Sequence, residues 1–141
     1  MSPNLQTPRS PRDEIGGLVY FPRLCDKVRL HAADRLPTDY HANLGAGMDL
    51  WTCQFLGVGY PELAARIRAG LDDAAALAWA RENGTPRPAH ELAWWSAYMR
   101  TRGFRDDLAE RLAQRKAESG FTGRTEIVTF MDYIDADEGR M

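Results

Sequence analysis

Glycine and proline cut this chain into short segments, and between the cuts the apolar side chains recur three or four residues apart. That spacing makes one face of an α-helix, and no stretch sustains the alternation of a half-buried strand. The chain is therefore limited to short helices. Pro22 suits the first turn of one, where its missing N–H costs nothing, and Leu24, Cys25, Val28 and Ala32 then line one face. Leu36-Pro37-Thr38-Asp39 closes that helix, and residues 40–44 add one further turn. After the joint Gly45-Ala46-Gly47, Asp49 is placed to cap a helix that carries Trp51, Phe55 and Leu56 inward. Further helices are expected over 62–69, 74–83, 89–102 and 106–118, the last of these with Phe104, Leu108 and Leu112 spaced four apart. A final helix over 125–134 buries Ile127, Phe130, Met131 and Ile134.

No β-hairpin signal stands out. The fold class is all-α: a compact single-domain bundle of six or seven short helices over residues 15–141, preceded by an extended N-terminal arm over 1–14. Pro3, Pro8 and Pro11 keep the arm out of regular structure. Termini are usually loose, so a loose tail is its plain reading. The sharper one folds Arg9 and Arg12 back over the domain. Gly16-Gly17 then breaks the chain before Leu18-Val19-Tyr20-Phe21, which anchors the arm to the core.

With 141 residues the chain can bury a core without disulfides or a structural metal. Its net charge of −2 gives no global drive toward nucleic acid or an acidic membrane. The basic residues, sixteen Arg and two Lys, are scattered rather than striped, so no nucleic-acid partner is expected. No apolar run is long enough to span a bilayer, and the N-terminus lacks a signal-peptide core. Cys25 and Cys53 are too few for a disulfide scaffold, so a reducing, cytoplasmic setting is expected.

The densest chemistry lies in Arg23, Asp26, Lys27, Arg29 and His31, five ionisable groups in nine residues beside an apolar strip. Arginine offers a planar fork for carboxylate or phosphate, and histidine exchanges protons near neutral pH. The plain alternative is a solvated helix face locked by local pairs, Asp26 with Arg29 among them. At the other end Asp132, Asp135, Asp137 and Glu138 crowd the last helix, where carboxylates oppose the helix dipole. They call for a basic partner, and Arg23, Lys27 or Arg29 would serve. Asp-Ala-Asp resembles the start of a calcium loop, but Gly139 falls at a ligand position and the distal Glu is missing, so an EF-hand is rejected. His31 and His41 with Asp49 or a C-terminal carboxylate make a conceivable divalent-ion set, yet no paired-histidine spacing supports it and no metal is expected. No nucleophile elbow, Walker loop or dinucleotide fingerprint is present, and no cofactor is assigned. Trp51, Trp79, Trp94, Trp95 and Tyr98 could line a ligand pocket, but at helical spacing they read as core. Adjacent helical residues diverge by about 100°, so one of Trp94 and Trp95 meets a pocket, a loop or a partner chain.

Arg9-Ser10-Pro11, Gly16-Gly17 and Pro22-Arg23-Leu24 with Asp26-Lys27-Val28-Arg29-Leu30-His31 resemble the opening of a bacterial family of unknown function, DUF5069. The closing run from Phe130 to Arg140 is similar to that family's C-terminal segment, and the stretch from Asp49 to Leu56 fits as well. The resemblance runs from about residue 8 to the end. It implies a stand-alone bacterial domain and carries no activity, cofactor or catalytic residue to transfer.

Three functions follow in order. The first is a helical protein that binds a small anionic or polar ligand through Arg23, Asp26, Lys27, Arg29, His31 and Tyr40. The second is an enzyme in which His31 works with Asp132 or Asp135 in acid–base chemistry. The third is an interaction module or homodimer presenting Trp94 or Trp95 and the Arg-bearing arm.

Overall fold

The computed structural model describes residues 4–141. Among them seven α-helices, one 3-10 helix and a two-strand ladder follow in chain order, which is the all-α bundle expected. The centre is α1 (Phe21–Ala32). Phe21, Leu24, Cys25 and Val28 enter the core, and Arg23 and Lys27 are as deeply buried, at 4% exposure each. After the 3-10 helix (Thr38–Asn43) come α2 (Met48–Leu56), α3 (Tyr60–Arg68) and α4 (Asp73–Asn83). Helix α3 packs on α1, α2 and α4. On the remaining side lie α5 (Ala89–Thr101), α6 (Ala109–Glu118) and α7 (Phe130–Asp137), with α7 between α5 and α6. Leu63, Ile67, Ala76, Leu77, Ala80, Met99 and Met131 fill the interior at helical spacing. Each large apolar side chain fully buried in this way contributes about 1.5–3 kcal/mol.

The chain departs from its expected reading in several places. A hairpin is present: β1 (Glu14–Ile15) pairs antiparallel with β2 (Leu18–Val19). Gly16 and Gly17 turn between them at φ 57° and 82°, the double positive φ that a two-residue hairpin turn requires. Strands this short leave too few residues for an alternation to be seen. From residue 4 onward the arm is not loose. Pro8 is fully buried, the Arg9 N–H donates to Asp26 at 2.9 Å, and the Gln6 N–H donates to the Arg35 carbonyl at 2.9 Å. Its prolines lose little conformational freedom on ordering. The first three residues, Pro3 included, lie outside the described residues.

The last helix begins at Phe130, not near Thr125. Thr129 and Asp132 form a capping box, the Thr129 hydroxyl accepting from the Asp132 N–H and the Asp132 carboxylate from the Thr129 N–H. This reciprocal pairing sets a helix start more firmly than apolar spacing does. Helix α6 begins only at Ala109, because residues 103–108 turn around Asp106, whose carboxylate accepts from the Gly103 and Leu108 N–H groups. Phe104 is consequently 47% exposed. The aromatic residues are not all core. Trp51, Trp79 and Trp95 are half-buried against it, whereas Trp94 is 68% exposed.

Candidate functional site

Arg23 and Lys27 share one side of α1, because a step of four residues returns to one face of a helix, and Tyr20, the residue just before α1, stands at the head of that side. Opposite them stands α2, whose Asp49 has no solvent exposure. Asp49 does not cap its own helix. Its carboxylate accepts from the Tyr20 hydroxyl at 2.6 Å, from the Lys27 ammonium at 3.0 Å and from the Gly45 N–H at 3.0 Å. Gly45 sits at φ 75°, and a Cβ there would lie 2.8 Å from the Tyr60 ring, so the joint before α2 must be glycine for that N–H to reach Asp49. Lys27 also donates to the Tyr20 hydroxyl at 3.3 Å. The three side chains form one closed buried unit.

Tyr20 holds its place under strain. It precedes α1 at φ 76°, a conformation that L-residues with large side chains rarely adopt. Such a residue costs about 1–3 kcal/mol and is held only where the surroundings over-determine it, most often at functional sites. Here the Tyr20 N–H donates to the Asp13 carbonyl at 2.9 Å, and the hydroxyl is fixed at the other end by Asp49.

A second buried pair adjoins the first. Arg23 forks onto Glu138 with two hydrogen bonds of 2.8 Å, and the Tyr40 hydroxyl donates to the same carboxylate at 2.7 Å. Both charged side chains are 5% exposed. The C-terminal acidic cluster thus finds a partner in α1, as its conflict with the helix dipole demands. Asp132 and Asp135 find theirs in the arm: Arg12 bridges the two, at 2.6 Å to Asp135, and the Ser10 hydroxyl donates to Asp135 at 2.9 Å.

Lys27 and Tyr20 of the first unit and the Arg23–Tyr40–Glu138 group of the second wall a cleft of about 580 Å³, while Asp49, Asp132, Asp135 and Arg12 lie outside its lining. Its lining includes the polar Tyr20, Arg23, Lys27, Tyr40 and Glu138, the carboxylates Asp39 and Asp137, the aromatic Trp51, Phe130 and Tyr133, and the exposed Arg111 and Arg115 of α6, which we take as its mouth. The volume lies in the range of small-ligand sites. Arg115 reaches Glu118 at 3.6 Å, whereas Arg111 has no carboxylate partner among the described residues. A shallower groove continues past Trp51 and Leu108 to Phe55, Trp95, Tyr98 and Arg102. Trp95 stacks on Phe55 there, with ring centroids 4.7 Å apart, so of the adjacent tryptophans Trp95 is the one that meets a pocket.

Burial pushes the Lys27 ammonium down from its ordinary value; Asp49 opposes this and Arg23 adds to it. Burial, and after it the Asp49 carboxylate, pushes the Tyr20 hydroxyl well up. Burial works to raise Glu138, but the hydrogen bonds and charge of Arg23 outweigh it and hold the carboxyl below its usual range.

The expected site residues divide. Arg23, Lys27 and Tyr40 meet in the cleft. Asp26 and Arg29 face the other way on α1. Asp26 holds the arm, and Arg29 pairs with Asp73 at 2.7 Å rather than with Asp26. His31 lies one turn beyond Lys27, exposed, with its ring edge against His41 at 4.8 Å between centroids. It makes no hydrogen bond to Asp132 or Asp135, whose partners are Arg12, Ser10, Arg140 and backbone N–H groups. Sequence reasoning left Tyr20, Asp49 and Glu138 out of the site. The usable signal was Asp49, a lone charge inside the apolar run from Met48 to Trp51. Among the described residues no group of three or more His, Cys, Asp or Glu is placed to hold a metal ion, and no helix is long and apolar enough to cross a membrane.

A family model described as "Domain of unknown function (DUF5069)" matches residues 5–140. No curated protein matches the chain.

Proposed function

The chain belongs to the DUF5069 family, a domain of unknown function, and we propose its function from the cleft itself: it binds a small organic anion. The observation that carries this reading is Lys27. It lines the cleft while almost wholly buried, and its ammonium spends two of three N–H donors, on Asp49 and Tyr20. One charged donor is left for a ligand, and a charge-assisted bond inside a low-dielectric cleft is stronger than one at the surface. Arg111, which lines the same cleft and has no carboxylate partner among the described residues, adds a second cation. Trp51 and Phe130 offer apolar surface to the ligand's body. In this reading the polar work passes from His31 to Lys27 and Tyr20.

Benzoate and phenyl phosphate, titrated while watching their own NMR signals, test the reading. Saturable binding that weakens about tenfold in Arg111→Ala supports it. No saturable binding of either probe refutes it.

A second reading rests on Trp94, 68% exposed on α5 with Tyr98 beside it at 47%. Here α5 presents a face to a second copy of the chain. A dimer by light scattering that Trp94→Ser dissociates favours it, and a monomer at all concentrations removes it.

A further inference from the structure

The chain carries sixteen arginines and two lysines. Arginine never gives up its proton in a protein, whereas a lysine can. Lys116 is engaged in structure, donating to the carbonyls of Arg124 at 2.9 Å and Ile127 at 2.8 Å. Lys27 is thus the one lysine in the cleft, in a chain that otherwise supplies positive charge almost entirely as arginine. If charge alone were needed beside Asp49, the guanidinium used at sixteen other positions would also supply it.

Its surroundings are those of an activated amine. A lysine becomes a nucleophile when it is desolvated or set beside another cation. Lys27 is 4% exposed, and Arg23 lies one turn away on the same face of α1. Asp49 from α2 stands 3.0 Å from the nitrogen as a proton acceptor, and the Tyr20 hydroxyl, 3.3 Å away, touches both. Glu138, just past the end of α7, is taken up by Arg23 and Tyr40, and Asp39 and Asp137 also line the cleft but make no hydrogen bond to Lys27. The strained backbone at Tyr20 serves to hold that hydroxyl on the pair.

We propose that Lys27 is an imine-forming amine whose partner is a small aldehyde or ketone bearing a carboxylate or phosphate. This rests on the anion-binding reading, with Arg111 and Arg115 at the mouth meeting the anionic group. The ammonium passes one proton to Asp49, and the free amine attacks the carbonyl carbon. The C–N bond forms as the carbonyl π pair moves to oxygen. A proton then transfers from nitrogen to that oxygen, giving a neutral carbinolamine. Asp49 returns its proton through the Tyr20 hydroxyl to the carbinolamine oxygen, which leaves as water. The positively charged imine remains paired with the Asp49 carboxylate. No oxidant or reductant enters.

The test uses the full chain with glyoxylate, pyruvate and pyridoxal 5′-phosphate, each with cyanoborohydride to trap an imine, followed by peptide mapping. The amines are the N-terminal α-amine, Lys27 and Lys116. Lys27 is expected to be modified by at least one probe about tenfold faster than Lys116. Tyr20→Phe slows Lys27 without changing Lys116, and Lys27→Arg keeps the circular dichroism and loses the adduct. Modification of Lys27 by none of the three probes, or no faster than Lys116, overturns the inference. Benzoate binding that persists without an adduct overturns the imine chemistry and spares the anion reading. An adduct without benzoate or phenyl phosphate binding supports the amine chemistry and removes the anion reading alone.

Discussion

Asp49→Ala would strip the only carboxylate from the buried unit at the head of the cleft. In the native protein that carboxylate, with no solvent exposure, accepts from Lys27, Tyr20 and Gly45. Alanine leaves an unpaired ammonium inside the protein together with two neutral donors. Breaking a buried ion pair from one side costs about 3–5 kcal/mol, because the remaining charge is neither hydrated nor paired. That is a large part of the total stability of a domain this size, on the order of 5–15 kcal/mol. Urea unfolding at neutral pH would register it as a fall in midpoint at unchanged slope. Two further measurements separate the charge from the lost packing. Adding Lys27→Met to Asp49→Ala should recover about half of the loss, since the orphaned charge goes with it. Raising the pH should also narrow the Asp49→Ala defect. Burial lowers the Lys27 ammonium and Asp49 is what opposes that fall, so without Asp49 it drops further. Over the added window below 10.5 the unfolded variant holds the extra proton, and the variant gains more stability with rising pH than wild type does. A defect under about 1 kcal/mol, or a double variant no more stable than Asp49→Ala, would refute the view that Asp49 is held by the charge on Lys27.

Two other outcomes follow. Glu138 has a folded carboxyl below its usual range, so the unfolded chain takes up the proton first as pH falls; wild type should lose stability below about 4.5, and Glu138→Gln should lose none of that increment, as acid unfolding curves of the two would show. Thr129→Ala removes the hydroxyl that accepts from the Asp132 N–H and should cost about 0.5–2 kcal/mol, read by thermal melting.

The site was legible in proportion to how local its chemistry is. Arg23, Lys27 and Tyr40 stood out by charge and position near α1, and the acidic C-terminus declared its need of a cation through the helix dipole. Its partner proved to be Arg23 for Glu138 and Arg12 for Asp132 and Asp135. Asp49 was misread because a carboxylate at a helix start is ordinarily a cap, and only the packing of α1 and α2 against α3 turns it toward Lys27. His31 drew notice by its chemistry, but it falls at the last, exposed turn of α1, beyond the cleft.

Helical spacing and Gly/Pro punctuation are properties of neighbours in the chain, so the sequence by itself determined a mostly helical domain, its helix order and most of its core, from Leu24 and Val28 to Leu63 and Ile67. What lies across the chain from what was decided by tertiary structure alone. Residues 29 apart close the Tyr20–Asp49 bond, 115 apart the Arg23–Glu138 pair, and 123 apart the Arg12–Asp135 bridge. No local rule reaches such distances. They follow from which apolar faces bury together, and that burial carries polar side chains into one cleft that periodicity had placed on separate helices.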